Sequence, residues 1–175
     1  RAIFQWEKVL EDKSREERRI AWESRKEKLN NLNMRLGRNK DYDSQRRYES
    51  LKGLYEAFNE NLEIKGIFKK EIVEKVELLF DGCIQYIEQA LQLKKTASKL
   101  NGEAADKLWS QRNELLVEID SAVVKLSSAV QQTQGTPSGK DTKELERLGE
   151  SLDLQLETQK RIMERHPELI RMLKG

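Results

Sequence analysis

Residues 48–62 read YESLKGLYEAFNENL, and their apolar members Tyr48, Leu51, Tyr55, Phe58 and Leu62 recur at alternating steps of three and four. That spacing holds one stripe of an α-helix against a partner. The same count runs on through Ile72, Val76, Leu79, Cys83, Tyr86, Ala90 and Leu93, with Val73, Phe80, Ile84, Ile87 and Leu91 forming a second stripe beside it. Two stripes predict contact with more than one helix. Between these stretches the in-phase positions are Lys65 and Lys69, while Ile64, Ile67 and Phe68 carry the apolar character. The seam therefore either shifts or the helix breaks near Gly66. Unbroken from Ser44 to Leu100, the helix would span about 85 Å at 1.5 Å per residue. Gly82 lies inside the phase and reads as a helix-interior glycine, costing about 1 kcal/mol against alanine.

Upstream, Ile3, Trp6 and Leu10 form one short stripe and Trp22, Leu29, Leu32 and Leu36 another, separated by the charged run Glu11 to Arg19. Gly37 and Asn39 tolerate the left-handed conformation that follows a helix, and Asp43 or Ser44 can cap the next one. A tight turn is expected there. Downstream, Asn101-Gly102 is expected to end the central helix. Leu108, Leu115, Ile119, Ala122, Leu126 and Ala129 then define another, its stripe broken only by Arg112. Residues 131–141 hold Gly135, Pro137, Ser138 and Gly139 and read as a flexible loop. A last long helix from about Thr142 carries Leu145, Leu148, Leu152, Leu156 and Met163 inward, until His166-Pro167 interrupts it.

Short connections make neighbouring helices antiparallel. Folding the first helix back about residue 42 sets Trp22, Leu29 and Leu36 against Leu62, Tyr55 and Tyr48, and brings Ile3, Trp6 and Leu10 beside the doubly apolar stretch. The expected fold is all-α: an elongated antiparallel bundle of about four long helices with a projecting two-helix coiled-coil hairpin. Residues 1–64 form that hairpin, its tip near 37–43 and the start of its first helix packed on the bundle; residues 65–175 form the bundle.

Composition narrows function mainly by exclusion. Charged residues make up 37% and hydrophobic residues 37%, with two prolines, which suits thin apolar stripes and wide solvated faces. A net charge of +2 gives no whole-molecule case for an anionic polymer or membrane. No apolar run approaches the roughly 18 residues of a membrane span, so the chain is expected to be soluble, with the cytoplasm favoured as its compartment. Residues 135–142 superficially resemble a phosphate-binding loop. The glycine spacing is one residue short, however, Asp141 would repel phosphate, and a helix rather than a strand precedes. One histidine, His166, and one cysteine, Cys83, cannot supply the usual zinc or di-iron ligand sets. Cys83, in phase on the most apolar helix, reads as an inert core thiol. The carboxylates fall on polar faces among lysines and arginines, and no pair stands out for acid–base work.

One cluster invites a functional reading: Arg35, Arg38, Lys40, Arg46 and Arg47 gather around the turn, offset nearby by Asp41, Asp43 and Glu49. The expectation is a non-enzymatic helical interaction or scaffolding module, without cofactor or small-molecule substrate. It would bind protein partners through helix faces and this basic tip. Self-association is also expected, since Trp6, Trp22 and the aromatic stripe offer much apolar surface. Two alternatives stand beside it: a peripheral contact of the tip with an anionic membrane or nucleic acid, and an extracytoplasmic helical sensor whose ligand enters between helices.

Overall fold

The computed structural model describes residues 2–65, 70–135 and 142–165, with the side chains of 2–15, 18, 62–65, 133–135 and 142 outside the description. Among these residues every element is an α-helix: α1 Ala2–Arg38, α2 Tyr42–Lys65, α3 Lys70–Ala97, α4 Gly102–Gly135 and α5 Thr142–Arg165. Among the described residues the fold is an all-α bundle of five helices where about four are expected, because residues 48–62 and 72–93 fall on two helices, α2 and α3.

Contacts fix the directions. Tyr55 of α2 stacks on Phe80 of α3 with ring centroids 4.2 Å apart, whereas in one continuous helix the two would lie about 38 Å apart. Hence α3 runs back along α2. Arg47 of α2 reaches Asp120 of α4 at 2.8 Å and Arg112 reaches back to Asp41, so α2 and α4 run parallel. Lys75 pairs with Asp153 and Tyr86 bonds to Gln159, which lays α5 along α3 in the same sense. The path is thus up-down-up-down-up. Residues 66–69, between α2 and α3, lie outside the described ones.

The two apolar stripes of α3 explain why folding back wins over a long rod. In a rod, the aromatic stripe of α2 would have α1 alone for cover; at about 25 cal/mol per Å² each further large side chain covered is worth about 2 kcal/mol. In the folded chain α3 is surrounded: α2, α4 and α5 pack against its backbone, and α1 reaches it through Arg25–Asp81 and Arg35–Glu88. Leu79, Phe80, Cys83, Ile87, Ala90, Leu91 and Leu93 are buried there.

The hairpin of α1 and α2 is present, with two corrections. Its turn does not project, because α2 lies along α4 and the turn is bonded to it. Its register is about one heptad tighter than a fold about residue 42. Trp22 meets Tyr55, ring centroids 5.1 Å apart, rather than Leu62, and Gln45 bonds to Asn33. Arg25 and Arg35 of α1 lie beside Asp81 and Glu88 of α3. The side chains of Ile3, Trp6 and Leu10 lie outside the described ones. Being 13 residues longer than α2 (37 against 24), α1 carries its first turns past the end of its partner.

Two boundaries also shift. The central helix stops at Ala97 rather than at Asn101-Gly102, and Gly102, with φ of 67°, opens α4. Of the expected loop 131–141, residues 131–135 belong instead to α4; residues 136–141, like His166-Pro167 and beyond, lie outside the described ones.

Candidate functional site

The turn between α1 and α2 is built residue by residue. Lys40 takes the left-handed conformation, φ 55°, a role expected of Gly37 or Asn39. Its N–H donates to Gly37 O at 3.1 Å and that of Asp41 to Leu36 O at 2.9 Å, the paired bonds that close a helix through one left-handed residue. Asp41, not Asp43 or Ser44, caps α2. Its carboxylate accepts from the Ser44 N–H at 3.3 Å and from the Ser44 hydroxyl at 2.9 Å. Asp41 and Ser44 are fully buried.

What covers them is Arg112, the residue that breaks the apolar stripe of α4. Its guanidinium donates to Asp41 at 2.6 Å, and Arg112 itself is only 6% exposed. It also lies 5.6 Å from the Trp109 ring. Lys94 of α3 adds a bond from its ammonium to the Lys40 carbonyl at 2.8 Å. The turn is therefore clamped from two helices, and a buried pair of this kind holds one arrangement at the cost of desolvating both charges.

The structure brings the five cations of the turn to one end of the bundle but gives them different employment. Arg35 pairs with Glu88 at 3.0 Å and Arg47 with Asp120 at 2.8 Å, each tying the hairpin to α3 or α4. Arg46 holds Asp43 within its own helix at 2.9 Å and stays exposed. Arg38 and Lys40 are exposed, with no side-chain partner among the described residues. The Lys94–Lys40 bond sets the end of α3 beside the turn, so Lys95 and Lys99 join the same end. Tyr42 and Met34, 59% and 58% exposed, flank it. Exposed Glu103 and Asp106 at the start of α4 interrupt the positive field.

No family model, curated protein or solved structure matches the chain. Function must be read from its own side chains.

A second polar constellation escapes sequence reading. Between α3, α4 and α5 lie Gln89, Glu118, Gln155 and Gln159, all buried. The Gln155 amide donates to the Glu118 carboxylate, and the Ser121 hydroxyl to Gln155 Oε1 at 3.3 Å. Tyr86 donates to the Gln159 backbone carbonyl at 2.6 Å, and the Gln159 amide reaches Cys83 Sγ at 3.4 Å. Burial pushes the Glu118 carboxyl above the usual carboxylate range against the opposing bond from Gln155. It also pushes the Cys83 thiol up to about 12, leaving it protonated and unreactive as the sequence suggests. Glutamines and a glutamate on a charged helix read as solvated; only Gly82, an otherwise costly glycine inside α3, hinted at a close approach. Among the described residues no cluster of three or more histidine, cysteine or acidic side chains is arranged to hold a metal ion, and no helix is long and apolar enough to cross a membrane.

Proposed function

We propose that this chain is a non-enzymatic helical interaction module that engages a protein partner through the basic end of its bundle. The observation that carries the reading is the clamped turn. The buried Asp41–Arg112 bond and the Lys94 bond hold Lys40 and its neighbours in one geometry, and Arg38, Lys40 and Arg46 face solvent beside Lys99. Exposed charges on a rigid mount steer and orient an acidic partner with little ordering cost. Arg35 and Arg47 belong to the mount rather than to the contact surface, since each is engaged with a carboxylate of another helix.

Protein is favoured over membrane or nucleic acid because Glu103 and Asp106 stand exposed at the same end. A broad anionic surface would meet them together with the cations, whereas an acidic segment of a partner can follow the cations alone. The test is capture by the intact chain and by an Arg38→Gln, Lys40→Gln, Arg46→Gln variant, with anionic vesicles and oligonucleotides as parallel arms at two salt concentrations. The reading expects protein capture to be lost in the variant at unchanged helicity by circular dichroism. Capture that persists in the variant, or salt-sensitive binding to vesicles or oligonucleotides alone, contradicts it.

A further inference from the structure

The outer face of α4 is unlike the rest of the surface. Between Ser110 and Gln131 its exposed residues Ser110, Asn113, Val117, Ser121, Val124 and Gln131 carry no charge, and Asp120, the charged residue exposed among them, is held by Arg47 at 2.8 and 2.9 Å. On α5, by contrast, every exposed residue except Leu154 and Thr158 is charged. Val117, Val124 and Leu154, at 66%, 62% and 70%, are the three most exposed large apolar side chains among the described residues. Apolar side chains scattered singly over a surface are ordinary. These three lie together.

Helix geometry places them. Val117 and Val124 are two turns, about 10.5 Å, apart on one side of α4, with Ser121 between them. Here α5 crosses, since Gln155 bonds to both Glu118 and Ser121. Arg165 marks the side of α5 that borders the strip, because it reaches Glu114 of α4 at 2.9 Å. Leu154 stands about three full turns before Arg165, so it lies on that same side of α5, near the level of Ser121. Lys125 likewise stands about three full turns after Glu114 and borders the strip on the same side of α4.

We propose that this strip is the interface of a homodimer, in which α4 lies antiparallel on α4 of a second copy about a twofold axis at the level of Ser121. A twofold interface has to be complementary to itself. About this axis Val117 meets the partner's Val124, the small Ser121 meets its own counterpart and lets the helices approach closely, and Leu154 of α5 meets the partner's Leu154. The charges fit this direction. Glu114 and Lys125 stand on opposite sides of the axis, so antiparallel packing brings each toward the other residue of the partner, whereas parallel packing would set each at the level of its own counterpart. Asp120, near the axis, arrives with its charge already answered by Arg47. An unrelated helix would ask nothing of this even spacing of valines and flanking charges; a second copy requires it. The strip runs about 33 Å along α4 and is two helices, about 20 Å, wide, which offers roughly 650 Å² per chain against about 800 Å² in a standard interface. The expected dimer therefore dissociates in the micromolar range.

The experiment is sedimentation equilibrium of the full chain from low micromolar to near-millimolar concentration. The mass should rise from one chain to two and stop there, because a twofold interface closes on itself. Val124→Lys, at an exposed position, should leave helicity by circular dichroism unchanged and weaken association at least about tenfold, by setting an unpaired charge in the interface. In a Cys83→Ser background, Ser121→Cys chains should join through a disulfide on mild oxidation, and Gln85→Cys chains, altered at an exposed position of α3, should not. A single-chain mass throughout the range overturns the proposal, as does growth beyond two chains or association that Val124→Lys leaves unchanged. Disulfide formation through Gln85→Cys as readily as through Ser121→Cys overturns it too. Arg38→Gln, Lys40→Gln, Arg46→Gln protein should dimerise unchanged, so this proposal and the basic-end reading fail separately.

Discussion

Asp41 caps α2, accepts from Arg112 and is fully buried, so the turn depends on one carboxylate. Removing one member of a buried pair leaves the other charge stranded, and Asp41→Ala is expected to lower stability to urea by about 3–5 kcal/mol. Asp41→Asn, which keeps the cap, should lose less. Next to it, Lys40 sits at φ 55°, a conformation that costs a side-chain-bearing residue about 1 kcal/mol, so Lys40→Gly should raise stability by about that amount. Its carbonyl, which receives Lys94, is unaffected by the change. Glu118 sets a pH dependence. Burial raises its folded-state pKa above 4.5, so the folded chain holds the proton more tightly than the unfolded one. The Glu118 contribution is therefore most favourable below the unfolded value, declines as pH rises through the folded one, and is level above it. In urea titrations across that range, Glu118→Gln should lose this decline relative to the unaltered chain; an identical slope in both would contradict the assignment. The sequence shows that Arg112 is out of place in an apolar stripe, but not its partner, which stands 71 residues away.

At the scale of elements, the helices themselves are legible because apolar side chains return every three to four residues, and the two stripes of α3 correctly announce several neighbours. The break near Gly66 is legible only as one of two readings, a shifted seam being the other, and the reversal of direction is not legible. Lys65 and Lys69 keep the count, and no proline marks a stop between Lys65 and Lys70. The rod and the folded pair differ only in what covers the aromatic stripe, which is a tertiary quantity. That cover is testable: Phe80→Ala removes the ring stacked on Tyr55 and should cost about 3–5 kcal/mol in thermal or urea unfolding. A cost below about 1 kcal/mol would mean that the ring faces solvent. Gly135 and Pro137 signal a loop that the sequence carries back to Gln131, whereas the glutamines and threonine of that stretch continue α4 to Gly135. In α5 the apolar period marks Leu145, Leu148, Leu152, Leu156 and Met163, of which Leu148 and Leu152 are buried and Leu156 and Met163 pack on the core, but it passes over Gln155 and Gln159, since glutamine carries no periodic apolar signal. Cys83 reports on that packing. Its thiol, buried beside Gln159, should react slowly with a thiol reagent in the unaltered chain and markedly faster in Gln155→Ala/Gln159→Ala protein.

For the whole molecule, the difference between expectation and structure comes down to where the α1–α2 turn sits. An extended second helix would carry it far from the rest of the chain; the folded bundle clamps it between α3 and α4, with the cations of the turn and the end of α3 on one end. That packing also covers much of the apolar surface from which self-association was expected. Tyr48, Tyr55 and Phe58 are buried and Trp22 is packed against the core within a single chain. The most direct test is a spin-label distance between Arg38→Cys and Lys95→Cys in a Cys83→Ser background. With the turn clamped, the two labels sit on neighbouring helices, each about 10–12 Å across, and a distance below about 30 Å is predicted. A distance near 80 Å, the span of an unbroken helix from the turn to the end of α3, would contradict the account.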